Sequence, residues 1–321
     1  MTFRRFTCSL LASMAFASWA AAQTFPSKPV RIVVPFGAGG VADLTARTVA
    51  QKLGDALGQA VVIDNKPGAG GVVAGDAVAK AEPDGHTLLL MSNGTAVSAG
   101  LFKSLPFNTL RDFTPVSTLG FFDIAVITPA DSKFKNLGEL LAFAKANPGK
   151  LNLGTINIGS TQNLAGELFK TSSGADMQIV PFNGTPAVIT ALRGGQIDAA
   201  VEILGPVLPQ IKANALRALA VTGDKRAAVL PEVPTAKESG LPTFVASSWN
   251  ALAAPAKTPK DVIARLNKEI AAAVNSPDVK KKLAELNVEA RASSPEQAAD
   301  LLASETKRWG EVITRAKIPT Q

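Results

Sequence analysis

The sequence predicts an α/β protein of two domains, with parallel or mixed sheets flanked by helices and a ligand cleft between the domains. Three observations carry that expectation. Short apolar runs alternate with stretches whose apolar residues recur at helical spacing, the pattern of strands covered on both faces by helices. The alternation restarts near Gly120. Beyond an N-terminal export segment, about 300 of the 321 residues remain, enough for two cores at roughly 150 residues per domain.

Residues 1–22 read as a signal peptide cleaved after Ala22. Arg4 and Arg5 form a basic start, residues 9–19 a short apolar stretch, and Ala20, Ala21 and Ala22 a small-residue exit. No later run reaches the roughly 18 apolar residues that a membrane span needs, so the mature chain is expected outside the cytoplasm and free of the bilayer. Cys8, the single cysteine, leaves with the signal. That removes disulfides, thiolate metal sites and cysteine nucleophiles together. The formal charge is +7, and the two signal arginines account for two of it, leaving a modest +5. Its densest run, Lys280, Lys281 and Lys282, lies on an amphipathic helical stretch and reads as a solvated face, so no nucleic-acid partner is expected.

The mature chain opens with the stretch around which the rest is organised. Residues 30–35 form an apolar strand, Gly37, Gly39 and Gly40 a turn, and from Val41 the apolar residues Leu44, Val49 and Leu53 fall at helical spacing. A glycine turn at a helix N-terminus leaves backbone N–H groups facing outward with the positive end of the helix dipole behind them, a site for an anion. A second strand at 60–64 runs into another glycine turn, where the five residues 37–41 (GAGGV) recur word for word at 68–72. A Pro-Asp-Gly-His turn at 83–86 precedes the strand 87–91 and a polar exit, Ser92, Asn93, Gly94 and Thr95.

The second unit reads as strand 122–128, helix 136–146, strand 151–155, and a loop reaching a helix cap at Gly159 and Ser160 with Leu164, Leu168 and Phe169 as its buried stripe. Strand 178–182 leads through Asn183, Gly184 and Thr185 into a helix with Pro186 in its first turn, followed by strands at 198–203 and 216–222. Residues 244–254 are a crossing back to the first unit. Helices at 259–274, 277–286 and 295–317, each with a proline near its start, are expected to pack there. The domains are therefore 23–121 plus 250–321, and 122–249.

Few reactive groups are available for catalysis. His86, the one histidine, opens a strand beside a turn and reads as a satisfied surface histidine; with no cysteine and no tyrosine in the mature chain, neither a Ser-His-Asp site elsewhere nor a multi-histidine zinc site can be built. No catalytic residue, metal or cofactor is expected. Carboxylate pairs are left, mostly on exposed helix faces. The rival reading is a dinucleotide-binding oxidoreductase, because Gly37, Gly39 and Ala42 fit G-x-G-x-x-A and Asp64 ends the second strand. Against it, Pro35 and Phe36 separate the strand from the first glycine, and export carries the protein away from the NAD pool.

A binding reading accounts for more of the chain. Small polar or glycine clusters stand at four strand exits, residues 37–43, 92–95, 159–163 and 183–185, and ligands of parallel α/β sheets bind beyond the carboxyl ends of strands. One helix terminus gives about 0.3–2 kcal/mol where micromolar affinity needs about 8. Several charge-assisted hydrogen bonds of about 1.5–3 kcal/mol each, in a closed cleft, are needed as well.

These stretches resemble the Bug family, the substrate-binding receptors of tripartite tricarboxylate transporters. The matching segments are FPSKPVRIVVPFGAGGVAD, VVIDNKPGAGG, AEPDGHTLLL, NLAGELF, VPFNGTPA and LPEVPTAKESGLP, in family order over most of the mature chain. The resemblance implies a periplasmic, monomeric protein with a type II periplasmic-binding-protein-like fold that closes on a small carboxylate. It also implies delivery to two integral membrane proteins; a sensor that presents the ligand to a kinase is the alternative. By that resemblance one ligand carboxylate falls to Phe36, Gly37, Ala38, Gly39 and Gly40 and the helix behind them, and Gly159, Ser160 and Thr161 serve the other domain, with Asn93, Gly94, Thr95, Asn163, Gly184 and Thr185 in the same exits. Asp43 either caps and orients the helix or accepts a hydrogen bond from water or a ligand amine. Two positions of the family pattern bear on the ligand. Asn183 stands where a basic or hydrogen-bonding side chain is common, and Glu202 stands where many members carry an acid. An acid facing the cleft disfavours tricarboxylates, so the expected ligand is a mono- or dicarboxylate, with amino and aromatic acids included.

Overall fold

The computed structural model describes residues 25–315 and 318–320; the expected signal peptide and the end of the expected last helix, Ala316 and Lys317, lie outside the described residues. The chain runs β1 (Val30–Val34), α1 (Val41–Leu57), β2 (Val61–Asn65), a single 3-10 turn at Ala69–Gly71, α2 (Val72–Ala79), β3 (Thr87–Ser92), α3 (Asn93–Leu101) and the long β4 (Phe113–Pro129). Then come α4 (Leu137–Ala146), β5 (Asn152–Ile156), α5 (Thr161–Ser173), β6 (Gln178–Phe182), α6 (Thr185–Arg193), β7 (Ala199–Ile203), α7 (Leu204–Lys212) and β8 (Leu216–Val221). Finally β9 (Ser247–Pro255) leads to α8 (Lys260–Asn275), α9 (Pro277–Glu285), β10 (Val288–Ala290) and α10 (Pro295–Arg315).

The sheet order is β2-β1-β3-β9-β4-β7-β5-β6, with β8 and β10 also paired to β4. β1 is parallel to β2 and β3, and β5 to β6 and β7. Between these parallel halves β9 and β4 run antiparallel to their neighbours, so the architecture is mixed. β4 joins the halves: residues 113–123 pair with β9 and residues 124–127 with β7.

Apolar periodicity explains the elements. α1 buries Val41, Ala42, Ala46, Val49, Ala50, Leu53 and Leu57 on one face and stops at Gly58, whose φ of 66° is the left-handed conformation that favours glycine. The central strands are apolar throughout because helices cover both faces, as in β3 with Leu88, Leu89, Leu90 and Met91 buried. α8 packs on α1, and α10 on α3 and β4.

Four elements escape the sequence pattern. α3 begins in Asn-Gly-Thr, read as a polar strand exit, but Ser92 accepts the Gly94 N–H while the Thr95 hydroxyl accepts the Ser92 N–H, a capping box that starts a helix there. α7 carries two prolines; Pro206 falls in the first turn, where a missing N–H costs nothing, and Pro209 lies inside the helix. The first half of β4 is broken in pattern by Pro115 and bulges against β9 there and again before Gly120. β10, three residues long, offers too little periodicity to read.

One consequence of this wiring sets up the site. β1, β3, β5, β6 and β7 each run from their carboxyl ends straight into a helix, so the N-termini of α1, α3, α5, α6 and α7 gather at one place in the molecule. No helix among the described residues is long and apolar enough to cross a membrane.

Candidate functional site

Between the two halves lies a small cavity, lined by Phe36, Gly37, Gly40, Val41, Ala42, Ser92, Phe122, Ile156, Thr161, Gln162, Gly184, Thr185, Ile203, Ser248 and Asn250. All five helix N-termini contribute to this wall, and no ionisable side chain is among its residues. Whatever charge the site compensates must therefore be met by backbone dipoles and neutral hydrogen-bonding groups.

The five N-termini are not equivalent. α3 is closed by its own capping box. α5 is closed by Ser160, whose hydroxyl accepts the Asn163 N–H at 3.1 Å. The Ser160 N–H goes to the Asn157 carbonyl and the Gly159 N–H to Asn163 Oδ1. At α7 the N-cap Ile203 gives its own N–H to Glu202 Oε2 at 3.2 Å, but no side chain caps the first turn. At α1 the N-cap, Gly40, has extended backbone and likewise no side-chain cap for the first turn. α6 likewise starts at a glycine, Gly184, without a side-chain cap. Because Pro186 has no N–H and the Gly184 N–H bonds the Phe182 carbonyl, α6 offers chiefly the Thr185 N–H. The helix starts without a side-chain cap are thus those of α1, α6 and α7, with the start of α1 facing Thr185 across the gap.

The loop before α1 lies against that opposite wall. A Cβ built on Gly40 would stand 3.8 Å from Thr185 Oγ1, and one on Gly37 3.4 Å from the Asn183 carbonyl. The second copy of the glycine motif lies outside this lining and packs against the 158–159 loop. Gly70, at φ 61°, abuts the Ile158 carbonyl, and Gly159 abuts the Gly70 Cα, so neither position has room for a side chain.

Asp43 is buried behind the first loop, away from the cavity lining. It accepts the Gly39 N–H at 3.0 Å, both oxygens take Arg47 Nε at 3.0 Å, and Asn65 Nδ2 bonds it and the Phe36 carbonyl, also at 3.0 Å. Burial alone would raise its pKa, but the hydrogen bonds from Arg47, Gly39 and Asn65 outweigh this and hold the carboxyl below its ordinary 3.8. Its geometry makes Asp43 a brace for the loop.

Glu202 stands behind the other wall, fully buried. Oε2 accepts from Thr185 Oγ1 at 3.1 Å, from the Ile203 N–H at 3.2 Å and from Gln162 Nε2 at 3.3 Å, while Oε1 has no partner. Desolvation raises its pKa to about 7 against the pull of those three donors. Its donors Thr185 and Gln162 line the cavity, and Glu202 itself does not.

Of the residues expected in the site from sequence, Phe36, Gly37, Gly40, Thr161, Gly184 and Thr185 line the cavity. Ala38 and Gly39 are exposed and outside the lining, Gly39 standing close to Pro186 of α6. Gly94, Thr95, Gly159, Ser160 and Asn163 shape helix starts, and Asn93 is buried with its amide on the Ser247 carbonyl at 2.7 Å. Asn183 is exposed on the rim, where its Oδ1 accepts from Asn157 Nδ2 at 3.2 Å. Sequence reasoning missed Ser248 and Asn250 on β9, while Ser92 and Gln162 fall inside the exits 92–95 and 159–163 that it read as cleft clusters. The signal for the first two was there: in F-V-A-S-S-W-N-A-L-A-A they are polar residues two apart in an apolar strand, hence on one face. His86 accepts the Ser27 N–H at 3.1 Å, apart from the cavity.

Comparison with known proteins points the same way. Residues 45–318 match the model of the tripartite tricarboxylate transporter family receptor. Protein BugT of Bordetella pertussis is 37% identical over 312 residues, covering 96% of each chain. Among solved structures, R. palustris Rpa4515 with adipate superposes with a TM-score of 0.88 at 31% identity, covering 92% of this chain and 99% of that one. MatC (Rpa3494) from Rhodopseudomonas palustris with bound malate gives a TM-score of 0.86 at 33% identity, covering 90% and 100%. With its α/β periplasmic-binding-protein fold and a cavity walled by helix N-termini, the chain belongs to the tripartite tricarboxylate transporter receptors and is a solute-binding receptor of that family.

Proposed function

We propose that this chain is an exported, non-enzymatic receptor that captures a small carboxylate between two lobes, residues 23–121 plus 250–321 and residues 122–249, and delivers it to a transporter made of two integral membrane proteins. The observation that carries the reading is the uncapped first turn of α1 facing Thr185 across a cavity without ionisable lining residues. A carboxylate there accepts from α1 N–H groups and from the Thr185 N–H. Two or three such bonds at about 1.5–3 kcal/mol each supply most of the roughly 8 kcal/mol of micromolar binding. The adipate and malate seen in two structural relatives agree with a mono- or dicarboxylate. Against the dinucleotide alternative, Asp64 is taken up by Arg31 and Lys66, each 3.5 Å away.

A thermal-shift panel tests the proposal, with native mass spectrometry of freshly purified protein to weigh any acid carried through purification. A ligand at a hundredfold excess over its Kd adds about 2.7 kcal/mol, so small mono- or dicarboxylates are expected to raise Tm by several degrees while citrate and NAD do not. Stabilisation by citrate with none from smaller acids, or stabilisation by NAD, would overturn it.

A further inference from the structure

Asn250 lines the cavity from β9, between its ladder partners Ser92 on β3 and Gly120 on β4, and is fully buried. Neither its Oδ1 nor its Nδ2 has a hydrogen-bond partner. The other polar side chains of the lining are engaged. Ser92 Oγ accepts the Gly94 N–H, Thr161 and Ser248 share a hydrogen bond at 2.9 Å, and Gln162 and Thr185 donate to Glu202. A buried amide with both ends unpaired is uncommon, and it discriminates strongly between a ligand group that pairs both ends and one that pairs neither. The group that matches it has a donor and an acceptor together.

The opposite wall bears on charge. Glu202 has no cation beside it: its three donors are neutral, and its register partner on β4 is Ala125. A second carboxylate in the cavity meets no side-chain cation among the lining residues.

Building on the carboxylate reading above, we propose that Asn250 selects ligands with one carboxylate and a second, uncharged group that both donates and accepts a hydrogen bond, a hydroxyl or a carboxamide, in a lining that offers no side-chain cation to a second carboxylate. The first group is held at α1 and the second at the Asn250 amide.

Calorimetric titration of the mature chain with matched four-carbon and six-carbon acids tests this. The four-carbon set is butyrate, 4-hydroxybutyrate, succinamate and succinate. The hydroxy acid and the amide acid, at the better-fitting length, are expected to bind about tenfold or more tighter than both the plain acid and the diacid. Asn250→Leu is expected to bring the hydroxy acid and the plain acid to within about threefold of each other. If the leucine variant does not fold, as judged by its melting curve, Asn250→Ala takes its place. The diacid binding tightest to the unaltered chain, or an undiminished hydroxyl preference in the Asn250 variants, would overturn the selectivity proposal. Failure of every acid in both sets to bind would overturn the carboxylate reading itself.

Discussion

Gly40→Asp is expected to abolish carboxylate binding, lowering affinity by about a hundredfold or more, while the protein stays folded. Gly40 is the N-cap of α1 at φ −84°, a conformation open to any residue, and a Cβ there meets only Thr185 Oγ1 at an ordinary 3.8 Å. An aspartate at an N-cap turns its carboxylate onto the N–H groups of the first turn. Those are the groups assigned to the ligand, so the side chain becomes a tethered competitor and adds a negative charge to a cavity that has none. Two charge-assisted hydrogen bonds lost at about 1.5–3 kcal/mol each correspond to the stated fold-change. Gly40→Ala separates this from simple crowding, since a methyl leaves the N–H groups free and is expected to stay within about tenfold of the unaltered protein. Titration of both variants reads the result; equal losses would mean that space, and not the N-terminus, governs binding.

The second large effect concerns Glu202 and pH. Its folded-state value, raised from 4.5 to about 7, lies above the unfolded one. The stability it supports is fully present below about pH 4.5, falls as the unfolded chain ionises and the folded chain does not, and has gone once pH passes about 7. At about 1.4 kcal/mol per pH unit, the loss is of order 3 kcal/mol. Glu202→Gln keeps an oxygen for the three donors and removes the ionisation. Denaturant unfolding of both proteins between about pH 4.5 and 8 is expected to show the variant gaining by about that amount on the parent as pH rises. A difference that stays constant across the range would mean that Glu202 ionises as easily as an exposed acid.

Much of this was legible in the sequence because the relevant signals are local. The glycines at 37, 39 and 40 between an apolar strand and an amphipathic helix gave the loop and the helix N-terminus that line the cavity, and Gly184, Thr185 and Pro186 gave its counterpart. What sequence could not give was which exits are already used up. Ser160 and Ser92 look like ligand donors in a chain of letters, but each is the cap of its own helix, a fact that depends on side-chain rotamers. Asp43 and Glu202 were left open for a similar reason: whether an acid faces a cleft or braces its wall depends on partners 22 residues away in one case, Asn65, and 40 residues away in the other, Gln162. Asn250 was missed because its strand was read as a connection and not as a wall. The glycine motif repeated at 68–72 is also instructive, since identical residues line the cavity at one place and pack closely against the 158–159 loop at the other. The difference comes from what stands opposite: Thr185 in the first case, the Ile158 carbonyl in the second.

The most direct measurement is a crystal structure of the chain with a bound small carboxylate. The carboxylate oxygens are expected within hydrogen-bonding distance, about 2.7–3.2 Å, of N–H groups in the first turn of α1, with the Thr185 N–H completing the grip. A carboxylate held instead by lysine or arginine side chains, or seated at the rim beside Asn183 with the first turn of α1 left to water, would contradict the account.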